Sequence, residues 1–110
     1  MAYNEDVANA VRHALAELEV NAVERRMFGG VAFMVAGHMT VGVIGDELMV
    51  RVGKDGHERA LARPHAREMD FTGKPMTGMV YVAEGGFHDD GDLRAWVQRG
   101  LDFTATLPPK

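Results

Sequence analysis

Arg25-Arg26-Met27-Phe28-Gly29-Gly30-Val31-Ala32-Phe33-Met34-Val35-Ala36-Gly37-His38-Met39 enters a sheet and reverses direction within it. Two apolar runs, Val31 to Ala36 and Met39 to Ile44, flank a break at Ala36-Gly37-His38. Glycine at such a break supplies the positive φ that tight hairpin turns demand. The stretch therefore predicts a β-hairpin. Upstream, Val23 to Met27 reads as an opening strand, and Gly29-Gly30 let the chain bend or bulge before the hairpin. Downstream, Gly45-Asp46 turns the chain into Glu47 to Val52. There Leu48, Val50 and Val52 face one side and Glu47, Met49 and Arg51 the other. Successive antiparallel strands make a meander.

Helices flank this sheet. Asn4 is placed to cap a first helix over about Glu5 to Glu19, with Glu5 and Asp6 in its positive first turn and Val7, Val11, Ala14, Leu15 and Leu18 at helical spacing. Asp55 and Glu58 have capping-box spacing and predict a short helix over Gly56 to Ala62, stopped by Pro64. Two further strands are expected near Arg67 to Phe71 and Gly78 to Ala83, joined through the turn-forming Thr72-Gly73-Lys74-Pro75. Asp89 or Asp90 caps a closing helix. Its Leu93, Trp96, Val97, Gly100, Leu101 and Thr104 form one stripe, and Pro108-Pro109 end it. The expected architecture is a two-layer α+β domain over residues 1–110: an antiparallel meander with N- and C-terminal helices and one short middle helix.

At 110 residues, with 46% apolar and 25% charged side chains, the chain has material for one core and the composition of a folded protein. No apolar run reaches the roughly 18 residues of a membrane span. The acidic start Met1-Ala2-Tyr3-Asn4-Glu5-Asp6 is unlike a signal peptide, so a cytoplasmic protein is expected. The absence of cysteine removes disulfide and thiolate chemistry and agrees with a reducing compartment. The net charge is −4, unevenly spread. Residues 1–24 and 84–92 are acidic, whereas Arg51, Lys54, Arg59, Arg63 and Arg67 outnumber Asp55 and Glu58 between them.

Signatures of catalysis are sparse. With no serine or cysteine, the nucleophiles of covalent hydrolases are missing. His13, His38, His57, His65 and His88 include no pair at metal-ligand helical spacing, Asp89, Asp90 and Asp92 read as helix caps, and no glycine loop opens a helix after a strand. No cofactor is expected. Eight methionines are many for this length, and flexible thioethers either fill gaps in a core or line an adaptable partner surface. The candidate interaction surface comprises Arg25, Arg26, Met34, Met49, Arg51, Arg59 and Arg63. An apolar run such as Val31 to Ala36 needs cover that homodimerisation would supply.

Arg26-Met27-Phe28-Gly29-Gly30, then Gly37-His38-Met39, then Leu48-Met49-Val50-Arg51, and finally Met79-Val80-Tyr81 resemble, in this order, the N-terminal domain of the TfoX/Sxy regulators of DNA competence. The similarity runs over about residues 5 to 107. It implies the same sheet with flanking helices and brings no catalytic residues. Two departures stand out: Val82-Ala83-Glu84 replaces the aromatic pair and proline frequent after the Met-x-Tyr element, and the chain ends at Lys110 without the helical second domain of two-domain members, as expected of a stand-alone relative. The reading favoured is a non-catalytic regulatory or adaptor module that binds a protein partner, such as a transcription regulator, as a homodimer. The alternatives are a small DNA-binding regulator and a small-ligand-binding protein. The acidic balance makes weak or absent DNA binding the expectation.

Overall fold

Asn4 sets the first helix. Its side-chain oxygen accepts the N–H of Asp6 at 2.9 Å and of Val7 at 3.4 Å, which satisfies two of the donors every helix start leaves open. The computed structural model, which describes residues 3–27, 29–69 and 77–108, has α1 at Glu5–Glu17 with Ala8, Val11, Ala14 and Leu15 buried. The helix ends two residues before the expected Glu19. Glu19 itself turns left-handed at φ 59°, so its N–H and that of Val20 return to the carbonyls of Ala16 and Leu15 at 3.0 and 2.9 Å. That 5→2 and 6→1 pair closes a helix in place of a further turn.

Among the described residues six strands form one sheet: β1 Val23–Met27, β2 Gly30–Val35, β3 His38–Ile44, β4 Glu47–Arg51, β5 Ala66–Glu68 and β6 Met79–Val82. Their order is β1-β2-β3-β4-β6-β5, with every neighbouring pair antiparallel. The hairpin turns on Ala36 and Gly37, with φ of 53° and 85°, the positive pair of a type I′ turn. Phe33 stands opposite Val41 but Met34 opposite Met39, so Thr40 is an additional residue that bulges β3. The meander holds through β4. The chain then crosses by a helix to the far edge as β5, and β6 returns between β5 and β4. Of the strand expected over Arg67 to Phe71, the part after Met69 and the turn Thr72 to Pro75 lie outside the described residues.

The middle helix α2, Gly53–Leu61, starts three residues before the expected Gly56 and has no side-chain cap. Its first donors reach across the fold instead: the N–H groups of Val52 and Gly53 both point to the carbonyl of Gly78, at 2.8 and 3.1 Å. A tertiary acceptor thus does what the Asp55/Glu58 capping box was expected to do. His57 completes this junction, its Nδ1 accepting the N–H of Gly78 at 3.0 Å. The last helix, α3, spans Asp90–Thr104 behind an Asp89 cap, and it stops short of Pro108. Its buried residues are Leu93, Trp96, Val97, Gly100 and Thr104.

Helices α1, α2 and α3 contribute to one face of the sheet. Val31, Phe33, Val41, Val43, Leu48, Val50, Val80 and Val82 pack there with Val11, Leu15, Ala60, Trp96 and Val97. The other face is built differently. Ala32, Met39, Met49, Met69, Met79 and Tyr81 form a second buried cluster, with Met27, Met34 and Ile44 partly buried at its rim. The alternation expected in β4 holds, since Leu48 and Val50 join the helical side and Met49 the methionine side.

Candidate functional site

The seven residues of the expected surface fall in three places. Arg25 and Arg26 are exposed on β1, which among the described residues pairs only with β2 and so leaves its outer backbone edge open. Val23, at 70% exposure, is the large apolar side chain most open to solvent on that strand. Register assigns Val23, Arg25 and Met27 to the methionine side, opposite Met34, Ala32 and Gly30, and Glu24 and Arg26 to the helical side. There the Arg12 guanidinium holds Glu24 by two bonds of 2.7 Å, and the Arg26 guanidinium lies 5.9 Å from the Tyr3 ring centroid. The bond from Arg12 keeps the Glu24 carboxyl below the usual carboxylate range and raises Arg12 in turn.

Met34 and Met49 lie on the second face, but they are not equivalent. Met34 is half-buried, whereas Met49 is 0% exposed, so the reading of Met49 as part of an open surface is corrected. The cause is packing. Gly42 on the adjacent strand leaves room for the Met49 thioether: a Cβ there would sit 2.7 Å from Met49 Cε. Met49 fills the sheet face in the way methionine fills irregular cores.

Arg51, Arg59 and Arg63 gather at the other end of the molecule, around α2 and α3. Arg51 stacks on the Phe103 ring at 5.3 Å. That ring in turn lies against Gly53, where φ is 78° and an added Cβ would fall 2.2 Å from Phe103 Cδ1. Beside it run two adjoining clefts. One, of about 220 Å³, is lined by Arg63, His65, Gly86, Asp92, Trp96 and Arg99 among others. The other, of about 770 Å³, is lined by Lys54, Arg59, Gln98, Arg99, Asp102 and Phe103 among others. Arg99 belongs to both. Its guanidinium lies 5.3 Å from the Trp96 ring centroid. Burial, then repulsion from Arg63 and Arg59, pulls it below its ordinary pKa, with Asp102 opposing.

Arg99 was missed by sequence reasoning, which followed only the apolar stripe of the last helix. The available signal was its place three residues after Trp96, where a guanidinium reaches an aromatic face on the same side of a helix. Its nearness to Arg59 and Arg63 is purely tertiary. The histidines do not converge: His38 Nε2 bonds the Pro108 carbonyl at 2.6 Å, and His57 lies with Nε2 3.9 Å from Glu68. Among the described residues no three His, Asp or Glu side chains group to hold a metal, and no helix is long and apolar enough to cross a membrane.

The sequence model of the TfoX N-terminal domain matches residues 13–104. The chain belongs to the TfoX N-terminal domain family. Membership suggests a regulatory or competence-related module. No curated protein and no solved structure matches the chain. The segments that carried the TfoX resemblance now have places in the fold. Gly37-His38-Met39 forms the β2–β3 turn and the start of β3, while Leu48 to Arg51 lies in β4. Met79-Val80-Tyr81 opens β6, and it pairs directly with β4 through Met49 opposite Tyr81 and Arg51 opposite Met79.

Proposed function

We propose that this TfoX N-terminal domain is a non-catalytic regulatory or adaptor module that works by binding protein, and that its first partner is a second copy of itself joined along β1. The open edge of β1 carries this reading. An unpaired strand edge is a template for another strand. Charges on such edges usually deter pairing, but here their order is self-complementary in one antiparallel register. With Arg25 on the two-fold axis, Glu24 meets the second copy's Arg26 and Val23 meets the second copy's Met27. Each pair then occurs twice, as an isologous contact requires. Arg25 meets its own copy, a repulsion that solvent and salt weaken at an exposed position. A one-residue shift toward Met27 would place Arg25 against Arg26 at two symmetric positions, which charge repulsion disfavours.

Light scattering of the purified chain is expected to give a dimer mass. Glu24→Arg and Arg26→Glu should each give monomers, and the double reversal should restore the dimer because it exchanges the two ends of the same pair. Circular dichroism checks that each variant is folded. A wild-type monomer at high protein concentration, or an Arg26→Glu variant that stays dimeric, refutes the β1 dimer.

A further inference from the structure

Arginine rarely lines a cleft beside other arginines without a carboxylate to hold it, because like charges at short range repel and a guanidinium has five donors to satisfy. Arg12, Arg67 and Arg94 follow the rule: they are paired with Glu24, Glu47 and Glu17. Arg59, Arg63 and Arg99 do not. Among the described residues none of the three makes an ion pair, although Asp92 and Asp102 line the same clefts. Arg59 and Arg63 stand one turn apart near the C-terminal end of α2 and face Arg99 across the groove to α3. His65 adds a further donor to the smaller cleft.

We propose that the groove between α2 and α3 binds a phosphate dianion, free or as the monoester of a small organic molecule, through Arg63 and Arg99 in the smaller cleft and Arg59 in the larger one. The smaller cleft, about 220 Å³, has room for a phosphate group, and the adjoining cleft has room for an organic remainder. Planar guanidinium groups meet phosphate oxygens in paired, charge-assisted bonds, and Arg63 and Arg99 line one cleft with Arg59 in the cleft beside it, an excess of donors that suits a dianion. The dianion relieves the repulsion of Arg59 and Arg63 on Arg99. Desolvation and the repulsion from Arg59 and Arg63, which weaken the hold of Arg99 on its proton, are the cost that an anion would offset. Asp92 and Asp102 sit at the lining and disfavour extended polyanions, which favours a small ligand over duplex nucleic acid. This site is independent of β1: it lies by the strands at the opposite edge of the sheet.

Trp96 is the only tryptophan of the chain, and Arg99 stacks against it, so its fluorescence reports on the groove directly. Titration with inorganic phosphate and, separately, with a nucleoside monophosphate is expected to change Trp96 emission saturably and to raise the melting temperature, against chloride at equal ionic strength. Tighter binding of the monoester identifies an organic ligand, and equal or weaker binding identifies free phosphate. Arg63→Gln and Arg59→Gln, at exposed positions, should weaken binding about tenfold each. The same variants should leave the melting temperature of the ligand-free protein unchanged or higher, because each removes a repelling charge; a merely structural role predicts a lower one. The proposal fails if neither anion gives a saturable change, if both variants bind as wild type does, or if duplex DNA binds the groove more tightly than either anion at physiological salt.

Discussion

Replacing Gly100 by alanine tests the contact on which the helical layer is seated. Gly100 is buried in the middle of α3, and a Cβ built on it falls 2.7 Å from the carbonyl oxygen of Thr40 and 3.0 Å from its Cγ2. Those atoms belong to the bulge in β3 and cannot simply swing away. Thr40 Oγ1 is 3.2 Å from Thr104 Oγ1, and Thr104 Oγ1 donates to the Gly100 carbonyl at 3.1 Å. Helix and strand must therefore separate. Overpacking of this kind costs roughly 1–3 kcal/mol. Alanine returns about 1 kcal/mol as the better helix former. With the clash on backbone, the upper half of the strain range applies, and the net is a destabilisation of about 1–2 kcal/mol. That corresponds to a melting temperature lower by about 4–15 °C in a domain of this size. Gly56→Ala is the control: it lies within α2, its φ is not left-handed, and its nearest neighbour would be Val52 Cβ at an ordinary 3.6 Å. It should gain about 0.4–1 kcal/mol. Thermal and urea denaturation followed by circular dichroism, with an unchanged urea slope, give both numbers. If Gly100→Ala is as stable as wild type or more so, the close approach of α3 to the Thr40 bulge is refuted.

Ala36 adopts φ 53° in the β2–β3 turn, a conformation that costs a residue with a Cβ about 1–2 kcal/mol. Ala36→Asn should therefore raise stability by about 0.5–1 kcal/mol, because Asn-Gly is the favoured type I′ pair; a lower denaturation midpoint would contradict the turn assignment. The depressed Glu24 carboxyl sets a pH dependence. A carboxyl held below its unfolded value stabilises the fold above that value and loses the contribution as pH falls through the folded one. Wild type should exceed Glu24→Gln by at most about 1 kcal/mol above roughly pH 5, since both partners are at least a third exposed, and the two should converge in acid. A gap that widens below that pH would reverse the sign and exclude the Arg12 pair as its source.

The hairpin was legible because its two determinants are local: glycine at the turn and apolar residues at successive positions. Faces were legible in β4 for the same reason, since alternation needs only one strand. What escaped is tertiary. The N-terminus of α2 is fixed by the carbonyl of Gly78, some twenty-five residues later, so the local Asp55/Glu58 pattern pointed to the wrong residue. The bulge at Thr40 answers to the close packing of Gly100, and no feature of His38 to Ile44 alone announces it. Met49 follows an alternating pattern that normally ends in solvent, yet this sheet buries both faces, one under helices and one in a methionine cluster. Arg59 and Arg63 were visible as part of a basic stretch, but the residue that turns them into a site, Arg99, comes from a helix in which only apolar positions had been weighed.

The same distinction explains why the net charge of −4 is a poor guide to what the domain binds. Half of its sixteen carboxylates are committed to local work. Asn4 is followed by Glu5 and Asp6 in the first turn of α1, and Asp89 caps α3 ahead of Asp90 and Asp92, all positions where the helix field favours negative charge. Glu17, Glu24 and Glu47 hold Arg94, Arg12 and Arg67. Charge neutralised in place contributes little field at a distance, so the potential a ligand meets is set by the groups left over. On the β1 edge those are Arg25 and Arg26, beside Glu24; in the groove they are Arg59, Arg63 and Arg99. An acidic chain thus presents two separated basic surfaces, each small. Two such surfaces, one on β1 and one on the helices beyond the middle of the sheet, offer no continuous track for duplex DNA. They fit two short-range partners instead, one met edge to edge and one enclosed between helices.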